Sequence, residues 1–181
     1  MRVAVSGTHG AGKSTLIEEF LRRHPEFVHE PEPYTLMVED FGEEFSAEPS
    51  VEDFRRQLEF NIERLSQHAP GENVIYERCP VDFLAYVHAL DRRSAAALVE
   101  PVSKAMQQLE LVLYLPLAGT TEELPTLQRA VDHRLSSIFR DDEFEITSST
   151  NAIIIEARGS TDHRVTTLET AISMNIKHAA G

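Results

Sequence analysis

The twelve residues AVSGTHGAGKST, positions 4–15, restrict the fold of this chain more than any other stretch. Gly7, Gly12, Lys13 and Ser14 stand at the spacing G-x-x-x-x-G-K-[ST]. Glycines let a tight loop turn its backbone N–H groups toward one point, and a helix that follows aims its positive end at the same point. Such a loop holds phosphate oxygens. Its context fits: the β-branched run RVAVS (2–6) precedes it, and Leu16, Ile17, Phe20 and Leu21 form one helical face after it. Gly7, Thr8, His9, Gly10, Ala11, Gly12, Lys13, Ser14 and Thr15 are therefore the expected contacts of a bound nucleotide, read as ATP. Lys13 is expected on the outer phosphates and the Ser14 hydroxyl on Mg²⁺. A glycine turn beside an ordinary surface lysine would need neither the strand nor the amphipathic helix.

The rest of the chain alternates strand and helix patterns. Strands are expected at 27–30 (FVHE), 73–77 (NVIYE), 111–115 (LVLYL) and 152–157 (AIIIEA). Their near-continuous apolar runs suit a parallel sheet covered on both faces. Ser50 with Asp53 reads as a helix N-cap pair ahead of Phe54, Leu58, Ile62 and Leu65. Further helical patterns span 81–90 and 94–109, with Pro101 inside the second predicting a kink or two short helices. Leu127, Val131, Leu135 and Ile138 mark another helix, and Val165, Leu168, Ile172 and Ile176 the last. The acidic stretch from about 31 to 49 reads as irregular. One domain over 1–181 is expected.

In open parallel sheets ligands bind beyond the carboxyl ends of the strands. Two stretches end strands there. YERCPVDFLAY (76–86) places Glu77 where it can hold a metal's water shell and Arg78 where it can steady an anion or hydroxyl; a surface ion pair is the other reading. HEPEPYTL (29–36) offers Glu30 and Glu32, each before a proline, as a base for a hydroxyl proton. A stiff polar turn is the alternative there, and which of the two carboxylates serves stays open.

Charge narrows the partners. Acidic residues outnumber basic ones 30 to 17, a net charge of −13, which disfavours extended nucleic acid and anionic membrane surfaces. The chain has one cysteine, Cys79, so no internal disulfide forms. With no signal-peptide pattern and no long apolar span, the cytoplasm is the expected location.

The order phosphate loop, EPY, a helix with FRRQ, then YERCPVDFLAY resembles the small kinases of the nucleoside and nucleotide kinase group. It is most similar to the bacterial AAA-type P-loop ATPase/kinase-like proteins that include ribosylnicotinamide kinase domains. The resemblance spans nearly the whole chain and implies a three-layer α/β fold with strand order 2-3-1-4-5. It also implies phosphoryl transfer from ATP to a hydroxyl of a nucleoside-like small molecule. Deoxynucleoside kinases carry a base glutamate before a proline, to which Glu32 is similar. They read the base with a glutamine and an arginine seven residues apart, as Gln57 and Arg64 are. Their E-R-S motif resembles Glu77-Arg78-Cys79, and a nearby aspartate resembles Asp82. A solvated helix face accounts for Gln57 and Arg64 equally well. The resemblance further implies a lid over 117–142, with Arg129, His133 and Arg134 as its cations, and an adenine-packing turn at Gly159 and Ser160. The lid is poorer in arginine than the family's. An ATP- or GTP-dependent switch and a monophosphate kinase remain the competing readings, and homodimerisation and ATP-versus-GTP preference stay open.

Overall fold

The computed structural model describes residues 1–69, 71–117 and 125–179, with 176–179 as backbone. Five parallel strands form one sheet in the order β2-β3-β1-β4-β5, as the resemblance implies. They are β1 (Arg2–Ser6), β2 (Val28–Glu30), β3 (Val74–Glu77), β4 (Leu111–Tyr114) and β5 (Ile153–Glu156). Because the register aligns Val5 with Glu77 and with Leu113, and Leu113 with Ile155, the strands end along one edge. That edge carries the phosphate loop.

Strand alternation builds two cores. Val3, Val5, Ile75, Leu111 and Leu113 face α1 (Lys13–Arg23) and α9 (Thr161–Ala179), where Leu16, Phe20, Val165 and Leu168 pack on them. Ala4, Val74, Tyr76, Val112 and Tyr114 face the opposite layer. That layer contains α3 (Val51–Gln67), α4 (Pro80–Leu90), α6 (Val99–Met106) and α7 (Thr126–Asp141). Residues 80–88 of α4 are all buried, which explains why this helix lacks a polar face. Pro80 opens it, where a missing N–H costs nothing.

Local signals hold where they were strongest. The Ser50 hydroxyl accepts the Asp53 N–H at 3.1 Å and donates to the Asp53 carboxylate at 2.6 Å, which caps α3. The region around Pro101 forms two helices, α5 (Arg92–Ala96) and α6. The break falls before Leu98, so Pro101 sits in the first turn of α6 rather than at the interruption. The acidic stretch is not wholly irregular: α2 (Pro33–Glu39) lies within it. Pro33 presets its first turn and Met37 is buried beneath it. A 3₁₀ turn (Glu143–Glu145) and α8 (Ile146–Ser149), neither expected, lead from α7 to β5.

The end of β2 is fixed by charge. Glu30 is 4% exposed and accepts two bonds from Arg64, at 2.8 and 2.5 Å, while His68 Nε2 lies 2.6 Å away. Removing Arg64 leaves a buried carboxylate with only His68 beside it, and breaking such a pair is costly. Arg64→Ala should lower stability by about 2–3 kcal/mol, read from the midpoint of urea unfolding at pH 7. An unchanged midpoint would show that water replaces the guanidinium without loss.

Candidate active site

β1 delivers the chain into the loop at Gly7, where there is room for hydrogen only. A Cβ there would stand 2.6 Å from the Leu115 carbonyl oxygen. Gly10 and Gly12 take φ of +79° and +87°, which glycine adopts without strain. Among the described residues no side chain caps the start of α1, and uncapped helix N–H groups of this kind suit an anion. Lys13 is buried and its ammonium donates to the Thr8 carbonyl at 3.2 Å. Burial and the neighbouring Arg78 charge lower its pKa to about 8.

The Ser14 hydroxyl donates to the Glu77 carboxylate at 2.8 Å. Two oxygens this close, at the foot of the phosphate loop, match the hard ligands Mg²⁺ takes. Among the described residues no group of three His, Cys, Asp or Glu side chains is placed to hold a metal by itself. Mg²⁺ needs no such cage, because it commonly keeps its waters and takes phosphate oxygens with one or two protein ligands. Thr15 is exposed and lines a groove between α1 and α9.

Arg78 follows β3 with a φ of +83°, a strained conformation for a side-chain-bearing residue, and is 4% exposed. Its Nε donates to Glu32 at 2.5 Å, and its Nη1 to the Gly7 carbonyl at 3.2 Å. The guanidinium also lies over the Tyr86 ring, 5.3 Å from its centre. Burial pushes the Glu32 carboxyl up, but the Arg78 and Lys13 charges outweigh it and hold the group below its ordinary range.

Glu32, Arg78 and His9 line one end of a cavity of about 450 Å³. Its walls are aromatic, with Tyr34, Phe45, Phe54, Phe83 and Tyr86, and Gln57 and Asp53 add polar groups from α3. Phe54 stacks on Tyr86 at 4.4 Å, and the Tyr86 hydroxyl accepts the His9 N–H at 3.3 Å. The cavity thus meets the phosphate loop through His9 and Tyr86.

Several expected residues go elsewhere. Gln57 reaches the cavity, whereas Arg64 grips Glu30 instead. That pairing also separates the two candidate carboxylates: Glu30 is closed off, and Glu32 faces the cavity. Asp82 is fully buried and does not line the cavity. Its carboxylate accepts the Gly7 N–H at 2.9 Å and the Cys79 N–H at 2.8 Å, so it holds backbone rather than substrate. Of the lid over 117–142, residues 118–124 lie outside the described residues. The remainder, α7, is anchored on α4 by Val131, Leu135 and Ile138. Arg134 lies near His88 of α4, and with burial its charge lowers the His88 pKa. Arg129 is half-buried and His133 exposed on the same helix. Gly159 has a φ of +89°, and the Ser160 hydroxyl accepts the His163 N–H at 3.3 Å, so this turn starts α9.

Sequence reasoning missed Arg164, whose Nη1 donates to the Ala11 carbonyl at 2.9 Å and ties α9 to the phosphate loop. It also missed the aromatic wall. Tyr86 lay in a stretch already singled out, but nothing in its spacing marks a residue that reaches back to His9.

Three comparisons bear on this geometry. A family model described as an AAA domain matches residues 2–145. A search of curated proteins finds no match. Among solved structures, deoxyadenosine kinase from M. mycoides with the products dCMP and a flexible dCDP superposes with a TM-score of 0.64 at 16% identity. It covers 96% of this chain and 100% of its own. The same kinase with bound dATP gives 0.60 at 15%, covering 96% and 99%. Thymidylate kinase from Ehrlichia chaffeensis gives 0.64 at 12%, covering 95% and 98%. At these identities the likeness is one of fold, a three-layer α/β architecture with a five-stranded parallel sheet. With most of its length matched by the family model, this chain belongs to the AAA domain family.

Proposed function

We propose that this protein is an ATP-dependent kinase that phosphorylates a hydroxyl group of a nucleoside-like small molecule. The observation that carries the reading is the Glu32–Arg78 pair, at 2.5 Å, on the wall where an aromatic cavity meets the phosphate loop. The solved structures of similar fold include one kinase named for a nucleoside and one named for a nucleotide, with equal TM-scores, so fold alone does not choose between acceptors. The cavity's charge supports the hydroxyl. It presents the carboxylates of Glu32 and Asp53, and its one arginine is already paired. A monophosphate acceptor would call for unpaired cations. Arg56 and Arg64 are engaged by Glu43 and Glu30, and Arg55 is exposed to solvent.

In this reading the loop amides, the open end of α1 and Lys13 hold the phosphates of ATP. Ser14 and Glu77 would hold Mg²⁺, directly and through water respectively. The ion, when bound, neutralises charge on the phosphates. Glu32 accepts the proton of the attacking hydroxyl, and Arg78 orients both the carboxylate and the acceptor. Phe54 and Tyr86 supply a stacking surface for a planar ring, and Gln57 offers an amide that can both donate and accept. Gly159 and Ser160 remain where adenine would lie, and Arg129 and Arg134 remain the candidate lid cations.

Mass spectrometry of a mixture of protein, Mg-ATP and pooled nucleosides, monophosphates and hydroxylated cofactor precursors tests this directly. A phosphorylated nucleoside-like product is expected, lost in Lys13→Ala, with kcat about 100-fold lower in Glu32→Gln. ADP release without any phosphorylated acceptor would replace the kinase with a hydrolytic switch. A phosphorylated monophosphate would overturn the hydroxyl acceptor.

The pH profile follows from the same groups. Glu32 must be ionised and titrates below the ordinary carboxylate range, so kcat/KM should stay flat down to about pH 5. Lys13 must be charged and titrates at about 8 in the free protein, so kcat/KM for ATP should fall above pH 8. Bound phosphates raise the lysine's pKa, and kcat at saturating ATP should therefore hold to higher pH. Coincident alkaline limbs in the two profiles would mean that Lys13 is not the titrating group.

A further inference from the structure

Residues 40–49 form neither helix nor strand, yet Phe45, Ser46, Ala47 and Pro49 supply one wall of the cavity. What holds this segment in place converges on one residue. Arg56 donates to the Glu43 carboxylate and, at 3.2 Å, to the Glu44 carbonyl. Its guanidinium lies over the Phe45 ring, 4.9 Å from the centre, and 3.8 Å from Asp53. Three consecutive residues of the segment are thus gripped by one planar cation, an arrangement that lysine cannot reproduce. The remaining ties are lighter. Ser46 N–H donates to Asp53 at 3.3 Å, Glu43 N–H donates to the Met37 carbonyl at 2.9 Å, and Phe45 tilts against Tyr34.

The placement of these anchors links the segment to the site. Asp53 and Arg56 lie in the first two turns of α3, and the next residue, Gln57, lines the cavity. The helix that holds the roof also presents a polar group to whatever lies beneath. Arg56 itself is 35% exposed in its side chain and does not line the cavity, so it acts only through the segment it holds.

We infer that Arg56 is a positioning residue that pins segment 43–47 as a detachable roof over the cavity, and that it thereby sets affinity for the acceptor rather than for ATP. The acceptor part rests on the proposed function; the pinning does not. Hydrogen exchange on the free protein tests the pinning. In Arg56→Ala the peptides covering 43–48 should exchange at least tenfold faster, while those covering the phosphate loop and the second half of α3 stay unchanged. Glu43→Gln, which removes one contact only, and Arg56→Lys should fall between. Unchanged exchange at 43–48, or faster exchange throughout the chain, would overturn the pin. Steady-state kinetics with the acceptor identified by the pooled assay tests the second part. Acceptor KM should rise at least fivefold in Arg56→Ala, with ATP KM and kcat within twofold and partial recovery in Arg56→Lys. Fast exchange with an unchanged acceptor KM would overturn the positioning role. If no acceptor is phosphorylated at all, it is the proposed function that fails, and exchange still decides the pin.

Discussion

The buried carboxylate of Asp82 is the contact on which the site's geometry depends. Its two oxygens take the Gly7 N–H and the Cys79 N–H, which belong to loops 72 positions apart. One is the glycine loop after β1 and the other starts α4. A charge that is fully buried is tolerated only when it is hydrogen-bonded and paired, and here Arg78 Nη1 also lies 3.6 Å away. The clamp fixes the distance between Gly7 and Arg78, and the Arg78 bond to the Gly7 carbonyl closes the same ring from the other side. Between these ties Arg78 is held at a φ of +83°, a conformation the isolated chain would avoid. The strain is sustained because several bonds together over-determine the residue.

The site is internally satisfied before any ligand arrives. Lys13 donates to a loop carbonyl, Ser14 to Glu77, and Arg78 to Glu32. Under the proposed function, each holds a group in place with a partner that a phosphate, a metal or an acceptor hydroxyl would replace. The depressed Lys13 pKa has the same origin: burial and the Arg78 charge disfavour a second cation until anionic oxygens supply the compensation. Under the proposed function, a protein of net charge −13 attracts phosphate locally because Lys13 and Arg78 stand beside the start of α1, which has no side-chain cap among the described residues.

What could be read from the sequence was what short-range chemistry dictates. The glycine loop, the five strands and the Ser50–Asp53 cap involve neighbours within a few residues, and each is present. The partners of long side chains were not readable, because they depend on which elements pack together. Arg64 shares a helix face with Gln57, and spacing alone suggests a common task. Yet the fold brings Glu30, at the end of β2, within reach of the arginine, while the glutamine lines the cavity. Asp82 resembles a family aspartate by its place in the motif, whereas the fold turns it inward onto two amides. The aromatic wall draws on α2, the segment after it, α3 and α4, and no periodicity joins those pieces. α2 itself carries one acid, Glu39, but lies in a stretch whose other residues include many more, and Pro33 marked its start.

The pair Glu30 and Glu32 shows how little separates structure from function here. They are the same residue type, two positions apart, each ahead of a proline. Glu30 is the last residue of β2, so the strand pleat points it with Tyr76 toward α3, where Arg64 and His68 close over it. Glu32 comes after the strand has ended, at the N-cap of α2, and the turn swings its carboxylate to Arg78 at the cavity wall. Both acids face a guanidinium at 2.5 Å. The difference is that one guanidinium belongs to a helix sealing the sheet's edge, while the other is fixed by the Asp82 clamp next to the phosphate loop. An acid in the first position can only stabilise the fold. In the second it lines the cavity beside the glycine loop, and under the proposed function that open side, rather than the glutamate itself, is what suits it to act as a base.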